Sequence, residues 1–165
     1  KKKIDRVFLQ PSSCESSPEV LKAIEEAEII VIGPGSLYTS IIPNLLVGNI
    51  ADKIRESKAI KIFVCNVMTQ AGETTGYSVS DHIKAIYKHT GAGLFDYVVV
   101  NKEESSRELI KRYREEGAHQ VKVDKKKIRE LGIKVVEGNL LSREGYIRHD
   151  PDELAKVILG VMKDR

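Results

Sequence analysis

A loop rich in glycine and hydroxyl groups follows the apolar segment at residues 28–32. Gly33 and Gly35 would let backbone N–H groups approach a ligand closely, because glycine has no Cβ atom. Ser36, Thr39 and Ser40 carry hydroxyls that could donate hydrogen bonds to phosphate oxygens. The loop lacks the Gly-Lys-Ser/Thr of a Walker loop, and a tyrosine stands where a dinucleotide fingerprint has its third glycine. The pattern predicts either a phosphate-binding loop or a tight turn that holds no ligand.

A second polar loop follows the apolar run that ends at residue 65. Its polar side chains within nine positions are Asn66, Thr69, Gln70, Glu73 and Thr74. Amides and hydroxyls suit recognition of a base, ribose or phosphate, while Glu73, or Asp81 in the next helix, could hold Mg²⁺ through water. The alternative is that these groups satisfy the loop backbone and cap that helix. We interpret His82 as a structural hydrogen-bonding residue in preference to a catalytic one.

Two further candidates lie later in the chain. Arg148 comes just before a helix start at Asp150, where an anion is favoured, and a guanidinium can grip a phosphate with two hydrogen bonds. A surface ion pair is the alternative for Arg148. Tyr113 shares helical spacing with Leu109 and Ile110, so the pattern alone favours a place on the apolar face of its helix.

The elements that must position these residues follow an alternating pattern. Short apolar runs predict strands at residues 4–9, 28–32, 59–65, 94–100, 121–123 and 133–136. Helical spacing and caps predict helices at 18–27, 49–57, 80–89, 103–116, 124–132 and 150–162. Alternation of this kind is typical of βαβ units, so we predict a mostly parallel sheet in a three-layer α/β/α, Rossmann-like domain that spans residues 1–165. In such sheets ligands bind outside the carboxyl ends of the strands, where the polar loops fall.

Composition narrows the class of protein. The sequence has 41% hydrophobic and 31% charged residues and a net charge of +3, which is ordinary for a globular protein. The short lysine runs contain no aromatic residue, so nucleic-acid binding is not favoured, and no apolar stretch approaches the ~20 residues of a membrane span. Cys14 and Cys65 are too few for a disulfide scaffold and have no metal-site spacing. We expect a cytoplasmic protein, and a first residue other than Met leads us to expect a fragment.

Several stretches together resemble one family. Residues 33–47, 66–70, 72–74, 81–82, 96–101 and 147–150 are similar, in order and spacing, to the bacterial gluconeogenesis-factor (CofD-like) family, whose relatives include 2-phospho-L-lactate transferase. The resemblance covers nearly the whole chain. One departure is Ala71, which stands where the family usually has proline, and we expect it to change the stiffness of the loop more than binding.

The resemblance implies a Rossmann-like protein roughly twice this length, whose N-terminal half carries a glycine-rich loop that shares the ligand site. This chain would be the C-terminal half. The family branch implies a regulatory protein that binds UDP-N-acetylglucosamine or UDP-glucose and is linked to gluconeogenic growth, cell shape and peptidoglycan synthesis. By motif position, Arg148 and Tyr113 would contact the UDP-sugar, and the loop at residues 33–40 would lie on its phosphate side.

Two other functions stay open at this point. The related branch implies a transferase that uses Mg²⁺ and acts on a deazaflavin alcohol, which would need a metal-bound diphosphate and a positioned acceptor in one cleft. A scaffold with a degenerate site is the third alternative, and the intact polar loops argue against it. We favour a protein that is not an enzyme, with no catalytic residue and a UDP-sugar as ligand. No cofactor is certain, and Mg²⁺ would belong to the transferase alternative. The partners we consider are cell-wall synthesis or regulatory proteins and a second copy of the chain.

Overall fold

The computed structural model of this protein describes residues 4–142 and 145–163. Its centre is a parallel sheet of strands β1 (Ile29–Ile32), β2 (Ile60–Val64), β3 (Tyr97–Asn101) and β4 (Lys134–Gly138), in the order β1-β2-β3-β4. The strands form because they are runs of β-branched and aromatic residues, which suit a sheet that is buried on both faces.

Seven helices flank this sheet in the described residues. They are α1 (Pro18–Glu26), α2 (Ile42–Leu45), α3 (Ile50–Glu56), α4 (Val79–Thr90), α5 (Arg107–Glu115), α6 (Lys125–Glu130) and α7 (Pro151–Lys163). A π-helical turn (Leu37–Ile41) precedes α2 directly, and the N–H of Ile41 donates to the carbonyl of Ser36. None of the helices in the described ranges is long and apolar enough to cross a membrane.

Side chains of the strands alternate between two apolar layers, as the strand period of two requires. Ile32, Phe63 and Val98 pack with residues of α1 to α4 and α6, whereas Ile62 and Val99 face the opposite side and pack against α7. Helices therefore cover both faces of the sheet. The predicted three-layer α/β/α fold with a parallel sheet is confirmed.

The predicted helix starts at Pro18 and Pro151 are confirmed, and each has a side-chain cap. Ser17 accepts a hydrogen bond from the N–H of Val20, and Oδ1 of Asp150 accepts from the N–H groups of Asp152 and Glu153 at 3.0 Å each. Such bonds satisfy N–H groups that have no partner within the first helical turn.

The predicted strand at residues 4–9 is wrong. The N–H of Val7 donates to Nε2 of His89 on α4, 2.9 Å away, and Ile4 and Val7 pack on the helical layer. An apolar run has strand propensity, but a strand also needs a neighbouring strand with which to pair. This segment lies against helices instead of beside the sheet.

The predicted strand at residues 121–123 is also wrong. The structure has isolated bridges here, between Met68 and Gln120 and between Ser78 and Lys122. The backbone of this segment hydrogen-bonds the loop that follows β2 and not the sheet, so it fixes that loop from the side.

Candidate functional site

The polar loops meet at one edge of the sheet. Parallel strands place all their carboxyl ends at the same edge, so the loops at residues 33–40, 66–78, 102–106 and, after β4, 139–142 and 145–150 extend from neighbouring strands. We call the first two of these the first loop (residues 33–40) and the second loop (residues 66–78).

Gly33 is required by the fold of the first loop. Its φ is +88°, and a Cβ atom there would lie 2.7 Å from the carbonyl oxygen of Val64 on β2. Gly35 differs, because a Cβ atom there would meet Ile41 and Ser40 at an ordinary 3.7 Å. Close packing of β1 against β2 therefore fixes a glycine at position 33, while the structure leaves room at position 35.

The side chain of Asn66 joins the two loops. Its Oδ1 accepts from the N–H of Gly35 at 3.1 Å, and its Nδ2 donates to the carbonyl of Gly35 at 2.8 Å. Gln70 adds a third link, since its Nε2 lies 2.7 Å from Oγ of Ser36. Three side-chain hydrogen bonds thus hold the first loop against the second.

Thr39 and Ser40 lie on the π-helical turn and are exposed. The carbonyl of Ser40 accepts a hydrogen bond from Nδ2 of Asn44, 2.7 Å away. Thr69, by contrast, is buried, and it pairs with His119 in both directions. The N–H of Thr69 donates to the His119 carbonyl at 2.7 Å, and Oγ1 of Thr69 accepts from the His119 N–H at 2.9 Å. In this structure Thr69 fixes the second loop, and among the predicted site residues the exposed hydroxyls are those of Thr39 and Ser40 in the first loop.

The start of α4 shows the structural bonds that Asp81 and His82 make. Ser78 and Asp81 form a capping box, in which each side chain accepts from the backbone N–H of the other. Nδ1 of the buried His82 donates to the Ser78 carbonyl at 2.8 Å, and burial lowers the pKa of His82 below its usual value. Both residues support the helix start, as the structural interpretation predicted.

A tyrosine pair links the first loop to the end of the second. The hydroxyls of Tyr38 and Tyr77 are 2.7 Å apart, and the Tyr77 ring meets His82 edge-on at 5.5 Å. Burial, then the bond to Tyr77 and nearby negative charges that include Glu73, raise the pKa of Tyr38 well above its usual value. Tyr38 therefore stays neutral, and its hydrogen bond to Tyr77 connects the first loop to the end of the second.

Sequence reasoning missed one network under the second loop. The carboxylate of Asp124 accepts from Oγ of Ser80 at 2.6 Å and from the Ser80 N–H at 3.0 Å, and it lies 2.8 Å from Oγ of Ser78. Although burial alone would raise it, the hydrogen bonds from Ser80 and Ser78 lower the pKa of Asp124. Asp124 immediately precedes α6, but its side chain caps no N–H of that helix and binds Ser80 of α4 instead.

Tyr113 lies in a small apolar cluster that also contains Ile147, the residue before Arg148. Tyr113 packs there with Val67 and Ile147, and its hydroxyl accepts from the Ile147 N–H at 3.2 Å. The apolar-face prediction for Tyr113 is thus confirmed, while its hydroxyl fixes the backbone beside Arg148.

Tyr146 lies nearby in sequence and is 58% exposed. The guanidinium of Arg112 lies over its ring, 6.0 Å from the ring centroid.

Among the predicted site residues, Glu73 lies half-buried in the second loop, and its Oε2 has no hydrogen-bond partner within the described ranges. In those same ranges no three His, Cys, Asp or Glu side chains are grouped for a metal ion. The ligand roles that the sequence predicted stay predictions. They concern Gly33, Gly35, Ser36, Thr39, Ser40, Asn66, Thr69, Glu73, Tyr113 and Arg148. What the structure adds is that they lie in loops at one sheet edge, with the exception of Tyr113, which reaches that edge from α5.

The fold defines a parallel α/β protein whose polar loops lie at the carboxyl edge of its sheet. The family model of the 2-phospho-L-lactate transferase CofD matches residues 1–141, and the chain belongs to this family. It is 40% identical over 163 residues to the gluconeogenesis factor of Bacillus subtilis and 45% identical over 159 residues to that of Halalkalibacterium halodurans. The predicted family is confirmed.

The match covers 98% and 96% of this chain but 51% and 49% of those relatives, so the chain spans about half of their length. A crystal structure of a UPF0052 family member from Bacillus halodurans superposes with a TM-score of 0.92 at 44% identity. That superposition covers 95% of this chain and 51% of the other.

Proposed function

We propose that this chain is the C-terminal part of a cytoplasmic regulatory protein that binds a UDP-sugar, UDP-N-acetylglucosamine or UDP-glucose, and acts in gluconeogenic growth, cell shape and peptidoglycan synthesis. Relatives named gluconeogenesis factor support the general role. Their length supports a polypeptide about twice as long, in which another half completes the cleft.

The observation that carries the proposal is the joining of the first loop to the second by Asn66 and Gln70. This arrangement holds the exposed hydroxyls of Thr39 and Ser40 in place before a ligand arrives. Donors that are already positioned bind an anion without the cost of ordering the loop. A diphosphate, with its several acceptor oxygens, fits such a row of donors.

Arg148 supplies the charge that the row of hydroxyls lacks. Its backbone is fixed on both sides, because the Ile147 N–H donates to Tyr113 and the Arg148 carbonyl accepts from the Ser142 N–H at 2.9 Å. A guanidinium on a fixed loop is suited to a planar, two-bonded grip on phosphate. Tyr113 and Arg148 therefore act as one unit in this proposal, with Tyr113 orienting the loop.

The test is calorimetry on the full-length protein with UDP-N-acetylglucosamine and UDP-glucose against GDP and ADP. We expect tight binding of the UDP-sugars and at least tenfold weaker binding of the guanosine and adenosine nucleotides. Absence of binding to either UDP-sugar would refute the proposed ligand.

A transferase of the phospholactate type is the second candidate. The observation that favours it is the match to the transferase family model over residues 1–141. Such an enzyme would modify a deazaflavin alcohol in the presence of Mg²⁺. Incubation of the full-length protein with that acceptor, Mg²⁺ and a nucleoside-diphosphate-linked phospho-acid, followed by mass spectrometry, would reveal the product, and we expect none.

A further inference from the structure

Two buried polar atoms in the second loop have no hydrogen-bond partner among the described residues. One is Oε2 of Glu73, and the other is one end of the Gln70 amide. The opposite end of that amide bonds Ser36 at 2.7 Å, and whichever way the amide is turned, one end remains without a partner. An unpaired buried polar atom costs about 1–3 kcal/mol, so two of them in one loop point to groups that a ligand would satisfy.

The two side chains belong to one turn of chain. The Gln70 carbonyl accepts from the N–H groups of Glu73 at 3.1 Å and Thr74 at 3.0 Å, which closes a tight turn through Gly72, whose φ is +87°. The Cα atoms of the first and last residues of such a four-residue turn lie within about 7 Å of each other. The bond from Gln70 to Ser36 then places this turn against the first loop, and the charge of Glu73 acts on Tyr38 of the π-helical turn.

The chemistry of Glu73 selects which part of a ligand it can meet. An ionised carboxylate only accepts hydrogen bonds, and it repels a diphosphate. Hydroxyl groups of a sugar ring are donors and carry no charge. We propose that Glu73, with Gln70 beside it, accepts hydrogen bonds from ring hydroxyls of the bound ligand, from the glycosyl ring or the ribose 2′-hydroxyl.

This inference rests on the proposed nucleotide-sugar function and assigns the phosphates and the hydroxyls of the ligand to different parts of the site. The first loop and Arg148 donate to the phosphates, whereas the turn at residues 70–74 accepts from hydroxyls. A protein that grips only phosphates would bind many nucleotides alike. Because a site built to pair a hydroxyl rejects an analogue without it, the Glu73 turn would determine specificity.

The test uses the full-length protein with Glu73→Met, which keeps the length of the side chain and removes both acceptors. UDP-N-acetylglucosamine, UDP and 2′-deoxy-UDP are titrated by calorimetry, and urea unfolding is measured beside them. Glu25→Met on the exposed face of α1 is the matched control. We expect Glu73→Met to weaken UDP-N-acetylglucosamine about ten- to a hundredfold, with unfolding unchanged or shifted to higher urea, because an unpaired oxygen is removed.

The other ligands separate the two sources of hydroxyl. If UDP affinity is unchanged in Glu73→Met, the glycosyl ring is the donor; if UDP weakens and 2′-deoxy-UDP does not, it is the ribose. Three results would overturn the inference: unchanged affinity of Glu73→Met for all three ligands, an equal loss for all three, or unfolding at lower urea. In each case, binding by the wild-type protein would still support the proposed function. A wild-type protein that binds none of these ligands would refute the proposed function itself.

Discussion

Replacing Asn66 with Leu tests whether the link between the two loops holds the site in its binding shape. Leu has a similar size but cannot make the two hydrogen bonds to Gly35, at 3.1 and 2.8 Å. Each bond contributes about 0.5–1.5 kcal/mol, so the free energy of unfolding should fall by roughly 1–3 kcal/mol. The first loop would also lose its fixed position, and we expect UDP-N-acetylglucosamine affinity to fall at least tenfold.

The assay is urea unfolding of the full-length protein, followed by calorimetry of the folded variant. Asn44→Ala is the control, because Asn44 is exposed and its side chain makes one hydrogen bond within the described ranges, to the Ser40 carbonyl. That change should cost under about 1 kcal/mol and leave affinity within threefold. If Asn66→Leu unfolds at the wild-type urea concentration and binds the ligand normally, the loops do not depend on this link, and the reasoning is refuted.

Three further predictions concern charge, backbone and pH. Arg148→Ala should weaken UDP-N-acetylglucosamine about ten- to a hundredfold in calorimetry, or roughly 1.5–3 kcal/mol, and unchanged affinity would refute its ligand role. Gly33→Ala should destabilise the protein by about 1–3 kcal/mol in urea, because of its φ of +88° and the 2.7 Å approach to Val64, whereas Gly35→Ala should be nearly neutral. Burial lowers the folded-state pKa of His82, so the unfolded chain binds its proton first as pH falls below 6.5. Stability should then fall by up to about 1.4 kcal/mol per pH unit, and a His82→Gln variant with the same pH slope would contradict this cause.

The capping box at Ser78 and Asp81 illustrates what local sequence can predict. Its residues are three apart, and their bonds need only the geometry of one helix start. The apolar runs and the helical patterns that alternate along the chain are equally local, so the sheet and its two helical layers could be predicted. Residues 4–9 show the limit of the same logic, since strand propensity cannot tell whether a neighbouring strand is present.

The candidate site could be predicted only as a set of loops. The parallel direction of the strands brings their polar residues to one edge, and the family resemblance added the predicted ligand role of Tyr113. The hydrogen-bond partner of each side chain in the structure could not be predicted from the sequence. From the sequence, Thr69 and Asn66 are predicted as ligand residues just as Thr39 is. In the structure, however, Thr69 is buried against His119 and Asn66 is bonded to Gly35.

The sequence by itself thus determined the family, the parallel α/β fold and the edge of the sheet at which the polar loops meet, because these depend on local patterns and on strand direction. Tertiary structure alone decided which polar groups bond one another. Asn66 and Gly35 are 31 residues apart, Ser80 and Asp124 are 44 apart, and Thr69 and His119 are 50 apart. Such pairs form only after packed layers have fixed two loops in space, and hydrogen bonds depend on tenths of an ångström that no periodicity encodes. The same reason hid the unpaired oxygen of Glu73 until the fold was known.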